Sequence, residues 1–406
     1  MDWNLVFNPV EGVEWDTVEY HKTEWHYHHY KDDDWSMSDG VDFYVEDEGY
    51  TAFCVNDSDG DDIAWPWTDL ESFDATPPNE NRDPEQLGCI AIPGRELHDD
   101  AEHVHGFFDP DIPVETPDYD TREDVISTVV DDYDGVAMYA HPARYTRPIE
   151  FEKYLEELTT WDREQLPGFE AYVRGPDGDV DWRLVDWLNT ELAPDRMVLG
   201  YGTDDTNNYT TGETMLRHWT TMLLDPAEFD ASDQDGSRQA VREAMTAGRC
   251  LTHSRDRWDE NGDDRPTVPT VNSIDVEEEA RTITVDAEDY DRILWVSSRG
   301  KVVKEGSTLD WDEDSVRWFA RARIRGESGE TSTQPFGFAP EEPIKRAADG
   351  GIVAADGVET GADIDDAVRV RTTDGRYRIA GDLDATADER ELERTGDQTA
   401  TYITEE

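Results

Sequence analysis

Six short motifs rich in His, Asp and Glu follow one another through the first half of this 406-residue chain. They are His26-Tyr27-His28, Ser38-Asp39-Gly40, Pro93-Gly94-Arg95-Glu96, His103-Val104-His105, His141-Pro142 and Asp205-Thr206-Asn207. None is specific alone. Together they supply the imidazole and carboxylate ligands of a polynuclear metal site built from several loops. Such ligands suit zinc, manganese or iron, and such sites activate water for hydrolysis.

The residue types fit their places. In an H-x-H pair on an extended segment both imidazoles project to one side. Trp25 before His26 makes His26/His28 the best register in a stretch that also holds His21 and His29. Glu96 follows an apolar run and a Pro-Gly, where a carboxylate can bridge two metals. His141 ends the apolar run GVAMYA, and Asp205 ends the segment from Met197 in the same manner. A buried strand that delivers a ligand-type side chain to a polar loop needs a reason. His103 and His105 lie seven and nine residues past Glu96; one of them completes a second metal's shell, and His103 is favoured. Glu96, His141 and Asp205 are the residues expected to carry the chemistry. Arg144, three residues past His141, either faces an anionic substrate or forms a surface ion pair. The run Asp57-Ser58-Asp59-Gly60-Asp61-Asp62 hints at a calcium loop, but its glycine is misplaced for an EF-hand and it reads better as a solvated acidic loop. His253 is assigned no role.

The elements that must position these groups alternate between strand and helix from about residue 15 to 255. Gly49–Val55, Gly88–Ile92, Gly135–Ala140, Gly168–Val173 and Met197–Gly200 read as strands. Thr121–Tyr133 (opening on a capping-box pattern), Ile149–Leu158, Val180–Leu192 and Ser237–Ala247 read as helices. A βαβα pattern favours a parallel sheet or barrel, and the candidate ligands fall at the strands' C-terminal ends, where α/β barrels carry their sites. Past residue 265 the period changes to two. Val316–Arg325 places Trp318, Ala320, Ala322 and Ile324 on one face and arginines on the other, as in a half-buried antiparallel strand. The expected division is a metallohydrolase barrel over 1–260, a small immunoglobulin-like β-sandwich over 268–340, and an acidic tail over 341–406 with one hairpin around Thr373-Asp374-Gly375.

Composition bounds the partners. Lys plus Arg total 36 and Asp plus Glu 98, a formal charge of −62. The excess is spread along the whole chain, which fits adaptation to molar intracellular salt, where the Debye length is about 3 Å and self-repulsion is screened; a basic partner is the other explanation. No basic face is visible, which argues against nucleic-acid backbone binding and leaves a small molecule as the expected partner. Three dispersed cysteines imply no disulfide framework and fit a reducing cytoplasm. No signal peptide and no membrane span are expected, and 14 Trp, 16 Tyr and 12 Phe supply core material.

The order H-x-H, S-D-G, G-x-E, H, H-P, D-x-N resembles the PHP superfamily, the polymerase and histidinol phosphatase phosphoesterases, over about residues 15 to 255. The β-rich continuation is similar to the larger PHP metallohydrolases of the carbaryl-hydrolase type. The resemblance implies a distorted seven-stranded β/α barrel with up to three metals at the strand C-termini. It implies that His26, His28, Glu96 and Asp205 hold a first metal, and that Glu96 bridges to a second completed by His141 and His103. Asp39 matches a ligand of a third. A hydroxide bridging the first two metals would be the nucleophile. The departures cluster. Asn56-Asp57-Ser58 stands where the family has T-D-H, and Asp205-Thr206-Asn207 where it has D-x-H; both missing imidazoles belong to the third metal. The expectation is therefore a dinuclear hydrolase, most simply a phosphoesterase, with His21, His29 or His105 as substitutes if a third ion is kept. The alternatives are a hydrolase of non-phosphate esters or carbamates, or a binding protein on a decayed scaffold.

Overall fold

Runs such as Ala-Phe-Cys-Val and Val-Ala-Met-Tyr are apolar on both faces, which suits strands covered on both sides. In the computed structural model both are fully buried strands. The structure describes residues 3–28, 36–56, 67–72, 78, 80–98, 102–113, 119–142, 151–173, 181–206, 215–256, 266–312, 314–340, 368–371, 377–380 and 391–393.

In the first half, β1 is Trp3–Phe7, β2 Glu19–Tyr27, β3 Ala52–Val55, β4 Ile90–His98 and β5 His103–Phe107. Then come β6 (Val136–Tyr139), β7 (Gly168–Tyr172), β8 (Leu199–Gly202), β9 (His218–Leu224) and β10 (Cys250–Arg255). Strands β2 to β8 lie side by side in chain order. The β2–β3, β3–β4, β6–β7 and β7–β8 pairs are parallel, while β5 runs antiparallel to both its neighbours. A parallel bridge from Tyr27 to Thr206 joins the end of β2 to the segment after β8.

The helices begin where the chain offers caps. Ser36 and Asp39 close a capping box on α1 (Met37–Asp42), and Thr121 and Asp124 one on α3 (Arg122–Ser127); α2 is the single turn Pro84–Leu87. The expected helix over 121–133 is α3 continued by a π-helical turn, Thr128–Asp132. The remaining helices are α4 (Phe151–Thr160), α5 (Asp181–Leu192) and α6 (Gln234–Ala247), the last ended by Gly248 at φ 80°. Helices α3 to α5 pack on β6 and β7 through Val125, Val129, Leu155, Leu158, Val185 and Leu188.

The second half does not stand apart from this sheet. Strands β13 (Arg292–Ser297), β16 (Phe319–Gly326), β17 (Gly329–Thr333) and β18 (Phe336–Pro340) continue it. β17 pairs with β10 from Leu251↔Thr333 to Arg255↔Gly329, and β18 pairs with β1. A second, antiparallel sheet is formed by β11 (Thr270–Glu277), β12 (Thr282–Glu288) and β15 (Thr308–Asp310); β14 (Lys301–Glu305) pairs with β13. The core between these sheets holds Ile283, Trp295, Leu309 and Ile324 together with Trp3, Val10, Leu223 and Leu251. Two strand pairings and one core therefore cross the 260/268 boundary expected from the change of period.

The arginine face of β16 departs from its expected exposure. Arg321 is buried, with Nε and Nη2 donating to the two Asp186 carboxylate oxygens of α5 at 2.7 and 2.9 Å. In the tail, β19 (Val368–Arg371) pairs antiparallel with β20 (Tyr377–Ala380), and β20 pairs with β21 (Glu391–Glu393); the turn expected around Thr373-Asp374-Gly375 lies outside the described residues.

Candidate metal centre

The parallel strands bring their C-terminal ends to one place. His28 follows β2, His141 lies two residues past β6, and Asp205 three past β8. β4 is long enough to carry Glu96 beyond Val55, the last residue of β3. β5, running the other way, begins at the same end with His103.

Glu96 is the hub. Its Oε2 lies 3.1 Å from His28 Nε2; its Oε1 lies 2.9 Å from His141 Nε2 and 2.6 Å from His103 Nδ1. His26 Nε2 is 2.7 Å from His28 Nε2, 3.5 Å from Glu96 Oε1 and 3.6 Å from Asp205 Oδ1. Asp205 Oδ1 is 3.7 Å from His28 Nε2, and Oδ2 4.0 Å from His141 Nε2. His26, His28 and Asp205 converge closely enough to hold one ion, and so do His26, Glu96 and His141, all five residues buried.

The electrostatics favour a cation here. Burial alone would push Glu96 up, but His26 and His28 and the bonds from His103 and His141 hold it well below the usual carboxylate range. Burial would likewise depress His26, but Glu170, Asp205 and Glu96 lift it well above the usual imidazole value. Without a metal, a proton on His26 neutralises carboxylates that a divalent ion would otherwise satisfy. The donor set of imidazole nitrogens and carboxylate oxygens is the one zinc, manganese and iron accept. Backbone strain marks the same place: His141 and Asp205 are non-glycine residues at φ 26° and 43°, conformations that cost of order 1–3 kcal/mol each and cluster at functional sites.

One member of the centre escapes sequence reasoning. Glu170, in the middle of β7, is fully buried. Its Oε1 accepts from His26 Nδ1 at 2.6 Å, His105 Nε2 at 3.0 Å and Thr203 Oγ1 at 2.9 Å, and its Oε2 from the His141 backbone N–H at 2.6 Å. The only signal in the chain is a charge inside the apolar run GFEAYV. Burial raises Glu170, but His26 and His105 carry it well below the ordinary range.

The two histidines of β5 separate. His103 reaches Glu96, whereas His105 is committed on both ring nitrogens, Nε2 to Glu170 and Nδ1 to Asn56 Nδ2 at 3.2 Å. Burial and the neighbouring His26 push His105 down to about 4, so it is neutral at pH 7.

Asp39 is not brought to the cluster. It is exposed at the third position of α1, where its Oδ2 accepts from Ser36 N and Oγ, both at 2.7 Å. Local capping explains it, and Gly40 of the same motif lies so close to the Tyr27 hydroxyl that a Cβ would collide with it. His21 packs on Phe229 with Nδ1 at Thr51 Oγ1, and His253 stacks on Trp219; neither joins the centre. His29, the acidic loop including Asp57 and Ser58, Arg144 and Asn207 lie outside the described residues.

The strand ends are tied by two further buried carboxyls. Glu24 Oε1 accepts from the backbone N–H of His26 and of Asp204, joining β2 to the segment after β8. Asp204 accepts from the backbone N–H groups of Leu216, Arg217 and His218 and from the Tyr44 hydroxyl.

No protein-family model and no curated protein matches this chain. Among solved structures it is similar to a two-domain protein containing a predicted PHP-like metal-dependent phosphoesterase from Bacteroides vulgatus ATCC 8482. That likeness covers 95% of this chain and 96% of the other, at 14% identity and a TM-score of 0.40.

Proposed function

We propose that this chain is a metal-dependent hydrolase of the PHP type, most simply a phosphoesterase, working at a dinuclear centre. The observation that carries the reading is Glu96, a buried carboxylate flanked by imidazoles on both oxygens, with His28 on one side and His103 and His141 on the other. His26, His28, Glu96 and Asp205 would hold one divalent ion; Glu96, His103 and His141 would hold the other. Seven strands in chain order with the Tyr27–Thr206 bridge between first and last support reading the scaffold as a closed, distorted barrel.

Bound divalent ions in such a shell lower the pKa of water and polarise a scissile phosphoryl or acyl oxygen. The chain's own part is to fix the ligands. Glu170 accepts a hydrogen bond from His26 Nδ1–H and would so leave the Nε2 lone pair to face a metal in the cluster, the arrangement by which outer carboxylates orient metal-binding histidines. His141 and Asp205 are held in strained backbone that aims both side chains inward. We assign Arg144, three residues past His141, to the anionic group of a small-molecule substrate.

The test is metal analysis together with hydrolysis in molar KCl. The panel is phosphomonoesters, phosphodiesters and carboxyl esters, with manganese or zinc added. Two ions per chain and turnover of a phosphoester are expected. Turnover of carboxyl esters alone would replace the phosphoesterase reading with an esterase on the same centre. Failure to bind either metal would remove both.

We also propose that the charge of −62 adapts the chain to a cytosol of molar salt. Among the described residues no helix is long and apolar enough to cross a membrane. The melting temperature should rise between about 0.1 M and about 3 M KCl, as the Debye length falls from about 10 Å to below about 3 Å. A melting temperature indifferent to KCl over that range would refute the adaptation.

A further inference from the structure

We propose that Glu170 is a positioning residue that couples the two metal subsites; this deepens the metal-hydrolase reading and rests on it. One carboxylate sits beneath both sets of ligands. Its Oε1 accepts from the ring of His26, a ligand of the first subsite, at 2.6 Å, and its Oε2 from the backbone of His141, a ligand of the second, also at 2.6 Å. The second bond falls on a residue held at φ 26°, where a non-glycine backbone persists only if its surroundings over-determine it. Thr203, two residues before Asp205, donates to Oε1 at 2.9 Å. Three of the ligand-bearing segments thus meet at one side chain.

The donors are all committed toward Glu170. Asn56 Nδ2 donates to His105 Nδ1, which leaves the His105 proton on Nε2, aimed at Glu170 Oε1. His26 Nδ1–H, Thr203 O–H and His141 N–H complete a set of four donors on two oxygens. Only an ionised carboxylate accepts at both ends. A glutamine has one oxygen and one NH2 group, so either orientation turns a donor against a donor. A third ion among His26, His105 and Glu170, which are close enough for one, is disfavoured because both nitrogens of His105 are already used: Nδ1 accepts from Asn56, which leaves Nε2 protonated and donating to Glu170.

The experiment compares wild type with Glu170→Gln in the full chain at molar KCl. Zinc and manganese affinities are measured by competition with a chelator, and stoichiometry by metal analysis. The metal-free variant is expected to keep the far-ultraviolet circular dichroism and a cooperative melt, and to lose about 10- to 100-fold in affinity at both subsites. Two ions bound at wild-type affinity would overturn the proposal, and so would loss at one subsite with the other unchanged. A wild type that binds no metal would instead defeat the hydrolase reading beneath it. If Glu170→Gln fails to fold, nitrogen NMR of the wild-type imidazoles decides. In the zinc-bound protein His26 is expected to carry its proton on Nδ1, facing Glu170, and zinc on Nε2; zinc on Nδ1 would overturn the coupling.

Discussion

Replacing His141 by alanine is expected to lower hydrolysis about 1,000-fold or more at saturating metal, while the protein stays folded. The activity loss corresponds to about 4 kcal/mol of transition-state stabilisation, at 1.36 kcal/mol per tenfold. It follows from taking away a nitrogen 2.9 Å from Glu96 Oε1, which leaves His103 alone beside Glu96 in the second subsite. The fold should survive because the imidazole faces the ligand cluster and belongs to none of the apolar cores. Its backbone N–H stays bonded to Glu170 whatever the side chain. Glu96 keeps His26, His28 and His103 around it, so no uncompensated charge is created, and the stability change should stay within about 1–2 kcal/mol. Steady-state rates with added manganese or zinc, beside urea denaturation in molar KCl, check both halves. Wild-type turnover by the variant would remove His141 from the site and with it the dinuclear assignment.

What could be read beforehand follows from where information lies in a chain. His26, His28, Glu96, His141 and Asp205 were legible because each is a ligand-type residue at or near the end of an apolar run, and strand ends are where a parallel sheet delivers side chains together. Their convergence needs the fold; their candidacy does not. Glu170 was hidden because it sits in GFEAYV, six residues that read as apparent core, and its partners His26 and His105 are 144 and 65 residues away. Asp39 is the opposite case. Ser36-x-x-Asp39 is a capping box, and that local chemistry uses the carboxylate the motif seemed to offer to a metal. His103 and His105 share one face of β5, so alternation alone leaves them equivalent. The depth of His105 beside Asn56 and Glu170 separates them. Strands β1, β9 and β10 were passed over because sequences such as HWTTMLL mix polar and apolar residues without a clean period, their pairing being set by distant neighbours.

The same distance effect bears on domain organisation. Residues 1–260 produced alone, the unit the change of period near 265 suggests, are expected not to reach the native fold. Cutting there strips β17 from β10, leaving an open sheet edge, and β18 from β1, leaving that strand without its sheet partner, and open edges template aggregation. Trp3, Val10, Leu223 and Leu251 lose the core they share with Trp295, Leu309 and Ile324. Asp186, 2 % exposed, loses the guanidinium of Arg321. Breaking such a buried pair costs about 3–5 kcal/mol because the remaining charge stays buried and unpaired. Tyr172, at the end of the strand that carries Glu170, loses Glu330 and Ser332, and the backbone of Gly200 loses Gln334. A domain's whole net stability is about 5–15 kcal/mol, so the charge pair alone removes a large share of it. Size-exclusion chromatography and circular dichroism in molar KCl should show the fragment aggregated or without a cooperative transition. A monomeric fragment with a cooperative melt and both metals bound would show that the first-half sheet needs nothing from the β-strands beyond it. In that case the pairing of β10 with β17 would be a contact between two finished domains, not part of one sheet's formation.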